Sequence, residues 1–291
     1  MSTLILDTDI GTDVDDALAL GLLLGSPEVQ LAGITTVYGD TRLRAQLTRR
    51  MLAGSHQPDI PVFAGRAEPL SGRDVWWAGH EGVLHEGLDR ETFEERDAVD
   101  FLVDTVAAAP GEVDILAIGP LTNIAEAIRR SPAFVDEVRH VYVMGGDFRA
   151  ANRVAEHNLR CDAVAAREVF GSRLPMTVAG LDVTTRVQLA PEHVARIRAA
   201  GAVGRFLDAE IAQWWRFHGT QWNNPHDPIS ALTLLQPDLF TLRDADVDIE
   251  LAPGDEGFAR DAAASRRTRL VTELDVPAVM EAIVARIEAA G

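Results

Sequence analysis

The amino-acid sequence predicts an α/β fold: a doubly wound, mainly parallel sheet with helices on both faces. Three observations point to it. Apolar runs of strand length alternate with helical stretches over most of the 291 residues. The strand runs are apolar throughout rather than alternating with polar residues, which marks a sheet buried on both faces. Nearly every polar cluster comes just after a strand, where open parallel sheets bind their ligands.

In chain order, strand 4–6 leads into Asp7 and Asp9, and an apolar helix over 17–24 opens on Asp15 and Asp16. Strand 31–37 ends in Thr36, Gly39 and Asp40, and a helix over 43–53 follows. Residues 66–96, rich in Gly, Trp, His and Glu with weak periodicity, read as a long loop, and such loops are often functional lids. A helix over 98–108 precedes strand 114–118, which ends at the turn Gly119 to Asn123 and a helix over 121–130. Strand 141–144 runs into Gly145-Gly146-Asp147, and a helix over 163–170 leads to strand 176–179. A helix over 206–218 gives way to a polar loop, 219–226. Pro228 suits a first helical turn, which makes Asp227 the N-cap of a helix over 229–235. A closing helix covers 276–290, and no repeat or linker divides the chain, so 1–291 is expected to be a single domain.

Composition excludes several classes of function. Apolar residues make up 47% of the chain, ample for a packed core, and the net charge of −18 argues against a nucleic-acid partner. Cys161 stands alone, which excludes an intramolecular disulfide and a cysteine zinc site. All 27 basic residues are arginine, so Schiff-base lysine chemistry and a P-loop lysine are excluded. The chain enters its first strand directly after Met1-Ser2-Thr3, and no apolar stretch reaches membrane-spanning length. The expectation is a soluble cytoplasmic enzyme that engages neither membrane nor nucleic acid.

Five aspartates crowd the first sixteen residues: Asp7, Asp9, Asp13, Asp15 and Asp16. Helix capping explains one and the helix dipole a second. Five like charges in one loop repel, and a hard cation with oxygen ligands, calcium or magnesium, relieves the repulsion. A second polar cluster is Asn223-Asn224-Pro225-His226-Asp227-Pro228, able to supply a further carboxylate to that ion. A third is Asn152 to Asn158, whose Asn, Glu and His offer the donors and acceptors a sugar polyol demands.

These segments resemble the inosine–uridine-preferring nucleoside hydrolase family, from about Leu4 to the C-terminal helix. Seven pieces appear in the family's order: Asp7-Thr8-Asp9 with Gly11 and Asp15-Asp16-Ala17; Thr35 to Gly39; Ile118 to Ala125; Val143 to Gly146; Glu156-His157-Asn158; Gly180 to Thr184; and His226-Asp227-Pro228. The resemblance implies a Ca2+-dependent N-ribohydrolase on a doubly wound, Rossmann-like core, commonly a homo-oligomer (dimer or tetramer). It implies Asp9, Asp16, Asp227 and the backbone carbonyl of Ile118 as metal ligands. Asp15 holds a ribose hydroxyl; Glu156 and Asn158 bind the rest of the sugar; Met144 and Asn152 match ribose-side positions. Asp9 takes the proton of the attacking water, and His226 matches the residue that protonates the departing base, which an imidazole of ordinary pKa near about 6.5 can do.

The chain departs from the family at informative points. Three residues, Thr12, Asp13 and Val14, stand between Gly11 and Asp15 where the usual pattern has one. Asp40 stands in place of Asn and His157 in place of Phe, both on the sugar side, and 152–156 is shorter than usual. Candidates for the base pocket are Trp76, Trp77, His80, Trp214, Trp215, Phe217, His218 and Trp222, since aromatic faces stack on nucleobases. Of these, Trp77 is expected to cover the ligand and His80 to approach the base. Competing readings are a modified-nucleoside ribohydrolase, a haloacid-dehalogenase-type phosphatase with Asp7 as nucleophile, and a non-catalytic calcium-dependent nucleoside binder.

Overall fold

The computed structural model describes residues 2–149, 155–262 and 268–291. Nine strands form one sheet: β1 Ser2–Thr8, β2 Val29–Thr36, β3 Val62–Ala64, β4 Val113–Ala117, β5 His140–Met144, β6 Met176–Ala179, β7 Phe240–Ile249, β8 Ala259–Ala262 and β9 Thr268–Leu274. Their spatial order is β3-β2-β1-β4-β5-β6-β9-β7-β8. β3 through β6, with β9, run parallel, whereas β7 is antiparallel to both β9 and β8. The chain winds outward from β1 to β3, then returns to β4 and winds the other way. The switch point therefore lies between β1 and β4, whose register pairs Asp7 with Ala117. A crevice opens outside the carboxyl ends of the strands at such a point.

The uniformly apolar strands are explained by two cores. On β1, Ile5 packs into one and Leu4 and Leu6 into the other, as the alternation of a strand requires. Helices Asp15–Leu24, Thr41–Ala53, Gly201–His218, His226–Leu235 and Val276–Glu288 cover the Leu4 face. Helices Ala98–Ala108, Thr122–Arg130 and Ala163–Gly171 cover the Ile5 face. Each fully buried Leu or Ile contributes roughly 1.5–3 kcal/mol over leaving it exposed. All ten residues of helix Asp15–Leu24 are buried, because it lies under helices His226–Leu235 and Val276–Glu288. The first of those contacts places the N-termini of helices Asp15–Leu24 and His226–Leu235 side by side, which positions the site.

Three features differ from the sequence expectation. The strands β7 to β9 were not signalled, because β7 alternates exposed Asp and Arg with buried residues and lies near the sheet edge. Helix Gly201–His218 begins before its apolar register does. Helix His226–Leu235 is preceded by Pro225 as its cap, so Asp227 lies in the first turn and its carboxylate is left for another partner.

The long loop is tied down at several points. Asp162 accepts hydrogen bonds from the backbone N–H groups of Leu70 (2.7 Å) and Ser71 (3.0 Å). Asn123 accepts from the Arg66 N–H (2.9 Å) and donates to Asp7 (2.7 Å), stitching the loop to β1.

Candidate active site

Asp15 and Asp16 open their helix and Asp227 opens its neighbour, so three carboxylates from two helix N-termini meet. Their oxygens lie within 4.8 Å of one another, and all three side chains are buried. Both helix dipoles favour negative charge there. Asp16 also accepts from the Thr8 hydroxyl and from the Asp9 N–H, the latter at 3.2 Å. Burial, reinforced by the neighbouring carboxylates, pushes Asp15, Asp16 and Asp227 well above the ordinary carboxylate range. Burial likewise raises Asp9, against the pull of Arg44, and takes Asp13 to about 7.

The cluster fits a hard divalent cation. Among the described residues no arginine forms an ion pair with Asp9, Asp13, Asp15, Asp16 or Asp227. Arg44, buried beneath them, donates to backbone carbonyls instead: Tyr38 at 2.7 Å, Ile10 at 2.8 Å, and Asp9. Buried carboxylates that outnumber the one arginine near them are the donor set calcium or magnesium accepts. Gly119 is required alongside: a Cβ there would stand 2.8 Å from Asp9 Oδ1. The Ile118 carbonyl, at the end of β4, faces the same space and accepts from Asn158 Nδ2 at 2.8 Å.

This acidic floor opens into a cavity of about 330 Å3, within the size range of small-molecule sites. Met144, Glu156, His157 and Asn158 form one side. Glu156 caps the short helix His157–Cys161: its oxygens accept from the N–H groups of Asn158 (2.7 Å), Leu159 (3.1 Å) and Gly146 (3.1 Å). Burial still raises its carboxyl. His157 is held by Cys161 Sγ, 3.4 Å from Nε2, and stands edge-on to Trp76. Burial pushes the Cys161 thiol up to about 12, so it supplies no nucleophile.

Trp214, Phe217 and His218, packed on one another, form an aromatic side, Leu181 also lines the cavity, and Trp76 stands with His157. Trp214 and Phe217 are stacked with centroids 5.7 Å apart. His226 also lines the cavity, with Nδ1 2.7 Å from the Thr184 hydroxyl. Burial pushes its imidazole down to about 4, so it is neutral at pH 7 rather than titrating there as an ordinary histidine does.

Of the expected site residues, Asp9, Asp15, Asp16, Ile118, Met144, Glu156, His157, Asn158, His226 and Asp227 all line this one cavity. Three others do not. Asp40 is exposed and caps helix Thr41–Ala53, accepting from the Leu43 N–H at 3.0 Å, so its carboxylate serves the backbone. Trp77 packs on Gly39 and under the Arg44 guanidinium; its neighbour Trp76 faces the cavity instead. His80 lies behind the aromatic side, with Nε2 2.9 Å from the Thr12 carbonyl. Asn152 lies outside the described residues. Thr12, Asp13 and Leu181 line the cavity without an assigned role in the sequence reading. Leu181 falls within a recognised segment, and the extra loop length was the available signal for the other two.

Asp7 has no place in the cavity. It is fully buried, bonded to Thr35 and Asn123, and burial takes it to about 7. An aspartyl nucleophile must reach its phosphate, so the phosphatase reading loses its central residue.

A doubly wound sheet with a buried carboxylate cluster able to hold a metal, and an aromatic-lined cavity at its switch point, is an arrangement suited to hydrolysis of a small ring-bearing substrate. Comparison with known proteins narrows this. The family model "Inosine-uridine preferring nucleoside hydrolase" matches residues 4–281, and the chain belongs to that family. It is 36% identical over 267 residues to a "Probable uridine nucleosidase 1" of Oryza sativa subsp. japonica, covering 85% of this chain and 81% of that protein. It is also 36% identical over 268 residues to the pyrimidine-specific ribonucleoside hydrolase RihA of Enterobacter sp. (strain 638), covering 85% and 83%. Among solved structures, a plant nucleoside hydrolase (PpNRh1) superimposes with a TM-score of 0.89 at 24% identity, covering 98% of each chain. A purine-preferring ribonucleoside hydrolase from Gardnerella vaginalis gives 0.82 at 24%, covering 99% and 98%. The chain is thus an N-glycosyl hydrolase of ribonucleosides.

Proposed function

We propose that this chain cleaves the N-glycosidic bond of a ribonucleoside to ribose and free base, with Ca2+ held by Asp9, Asp16, Asp227 and the Ile118 carbonyl. The observation that carries this reading is the meeting of Asp15, Asp16 and Asp227 beside Asp9 on the floor of an aromatic-walled cavity. When bound, such an ion acidifies a coordinated water and orients vicinal hydroxyls.

The chain's own residues do the rest. Asp9 takes the water's proton. Asp15 accepts a ribose hydroxyl. Glu156 has three acceptor positions filled by N–H groups, and an ionised carboxylate has about four, so one remains for the sugar. Asn158, fixed by Ile118 and Met144, presents its amide to the same hydroxyls. These anionic groups stabilise the oxocarbenium-like charge that develops on the ribose. His226, neutral at pH 7, faces the departing base as a hydrogen-bond donor. Trp76, Trp214 and Phe217 take its faces; Asp40, Trp77 and His80 take no direct part.

Among the described residues no helix is long and apolar enough to cross a membrane. A single-domain cytoplasmic homo-oligomer, dimer or tetramer, completes the proposal, and light scattering of the purified protein checks the assembly. The function is tested by ribose release from a ribonucleoside panel, with and without a chelator, for wild type and Asp9→Ala. The reading predicts release that the chelator and the substitution each abolish; chelator-resistant release by Asp9→Ala would refute it.

A further inference from the structure

A second cavity, of about 370 Å3, lies at the amino ends of the parallel strands, opposite the catalytic one, and is also within the size range of small-molecule sites. Asp114 of β4, His140 and Tyr142 of β5, Thr177 of β6 and Arg269 of β9 form its floor. Strand register sets them side by side on one face: Asp114 beside His140, Tyr142 beside Thr177, and Thr177 beside Arg269. Leu234, from the last turn of helix His226–Leu235, and Pro237 and Leu242 supply apolar walls.

Two of the charges that line this cavity cancel. Arg139 donates to both oxygens of buried Asp114, through Nε at 2.7 Å and through Nη2, and the Ser2 hydroxyl adds a bond at 2.8 Å. Arg269 is left over. It is exposed and, among the described residues, forms no ion pair; Asp244, its cross-strand neighbour on β7, does not line the cavity. The His140 ring lies 4.7 Å from that of Tyr142, with Nε2 2.9 Å from the Thr177 hydroxyl, and burial pushes the imidazole down, so it adds no charge at pH 7. Burial pushes the Tyr142 phenol up to about 12, and among the described residues its hydroxyl has no hydrogen-bond partner. In a chain of net charge −18, this cavity thus keeps a positive charge, a free hydroxyl donor, and aromatic and apolar surface.

A guanidinium takes a carboxylate or phosphoryl group through two parallel hydrogen bonds. We propose that this second cavity binds a small ring-bearing oxyanion, a carboxylate or a phosphate monoester, with Arg269 and Tyr142 on the oxyanion and Leu234, Pro237 and Leu242 against the ring. The proposal does not depend on the hydrolase reading, since no residue of this cavity lines the catalytic one.

The calcium-loaded protein is titrated calorimetrically with benzoate, phenyl phosphate, neutral benzamide and inorganic phosphate. Benzamide keeps the ring without the charge, inorganic phosphate keeps the charge without the ring, and benzoate against phenyl phosphate tells which head group the site takes. Wild type should bind the better ring oxyanion at least about tenfold more tightly than either control. Arg269→Gln should remove that preference, and Tyr142→Phe, which keeps the ring, should weaken it by about threefold or more. Both variants should keep the wild-type unfolding temperature, because Arg269 is exposed and the phenol has no partner to lose. Asp9→Ala should keep the preference. The proposal is overturned if wild type shows no preference, if the preference survives Arg269→Gln, or if inorganic phosphate binds as tightly as phenyl phosphate. Loss of the preference in Asp9→Ala would also overturn it, by placing the ligand in the catalytic cavity.

Discussion

Replacing Asp227 with asparagine should stabilise the calcium-free protein and weaken calcium binding at the same time. Asp227, Asp15 and Asp16 present oxygens within 4.8 Å of one another. At that separation and an effective dielectric constant of about 20, each like-charge pair costs about 3.5 kcal/mol when both members are ionised. The raised carboxyls show that protonation already relieves part of this, so the variant should recover only about 1–3 kcal/mol. In a chain of this size that is a rise in Tm of roughly 1.5–2 °C per kcal/mol. The same charge attracts the ion, and losing about 3 kcal/mol of attraction weakens binding more than about 100-fold. Differential scanning calorimetry with and without calcium, at one pH and ionic strength, reads both effects. The reasoning is refuted if the calcium-free variant is less stable than wild type and still gains stability from calcium, as a carboxylate with a purely structural role would produce.

Further outcomes follow from the same geometry. The carboxyls of Asp15, Asp16 and Asp227 stand above their unfolded values, and that of Asp13 is near 7. The calcium-free native state therefore binds more protons than the unfolded chain between the ordinary carboxylate range and neutrality, and these groups lend stability that is lost as pH rises through it. Calcium must displace those protons, so as pH is lowered its affinity should begin to fall above the ordinary carboxylate range, with proton release visible by calorimetry in buffers of different ionisation enthalpy. Gly119→Ala should cost about 1–3 kcal/mol of stability and at least tenfold in calcium affinity, because the new Cβ meets Asp9 Oδ1 and Val37 Cγ1, both at 2.8 Å; denaturant unfolding and calcium titration check it. His226→Ala should lower kcat on neutral nucleosides by about two to three orders of magnitude, with little loss on a riboside whose leaving group needs no stabilisation; equal losses on both would remove its role as donor to the departing base. Glu81→Ala frees Thr12, Ala78 and Gly79 from one buried carboxylate, and hydrogen exchange should rise across residues 9–14 and 78–82.

The parallel half of the sheet is legible because its strands are buried on both faces, so sequence and burial carry the same signal. The antiparallel extension is not, because β7 exposes Asp and Arg and resembles a polar loop. The first aspartate cluster announces itself by charge density. Its meeting with Asp227 does not follow from local sequence, since it depends on helices Asp15–Leu24 and His226–Leu235 packing side by side. Asp40 sits after a strand, where ligand-binding residues gather, yet the same position begins a helix and capping takes its carboxylate. The choice between Trp76 and Trp77 has no sequence signal: in a loop without periodicity, Gly39 and Arg44 decide which ring packs inward.

The most direct test of the central claim is to follow a ribonucleoside by NMR in 18O-labelled water with the calcium-loaded protein, in the presence and absence of inorganic phosphate. The account predicts free base and ribose carrying 18O at C1, at a rate indifferent to phosphate. Base release that requires phosphate and yields a sugar phosphate would contradict it.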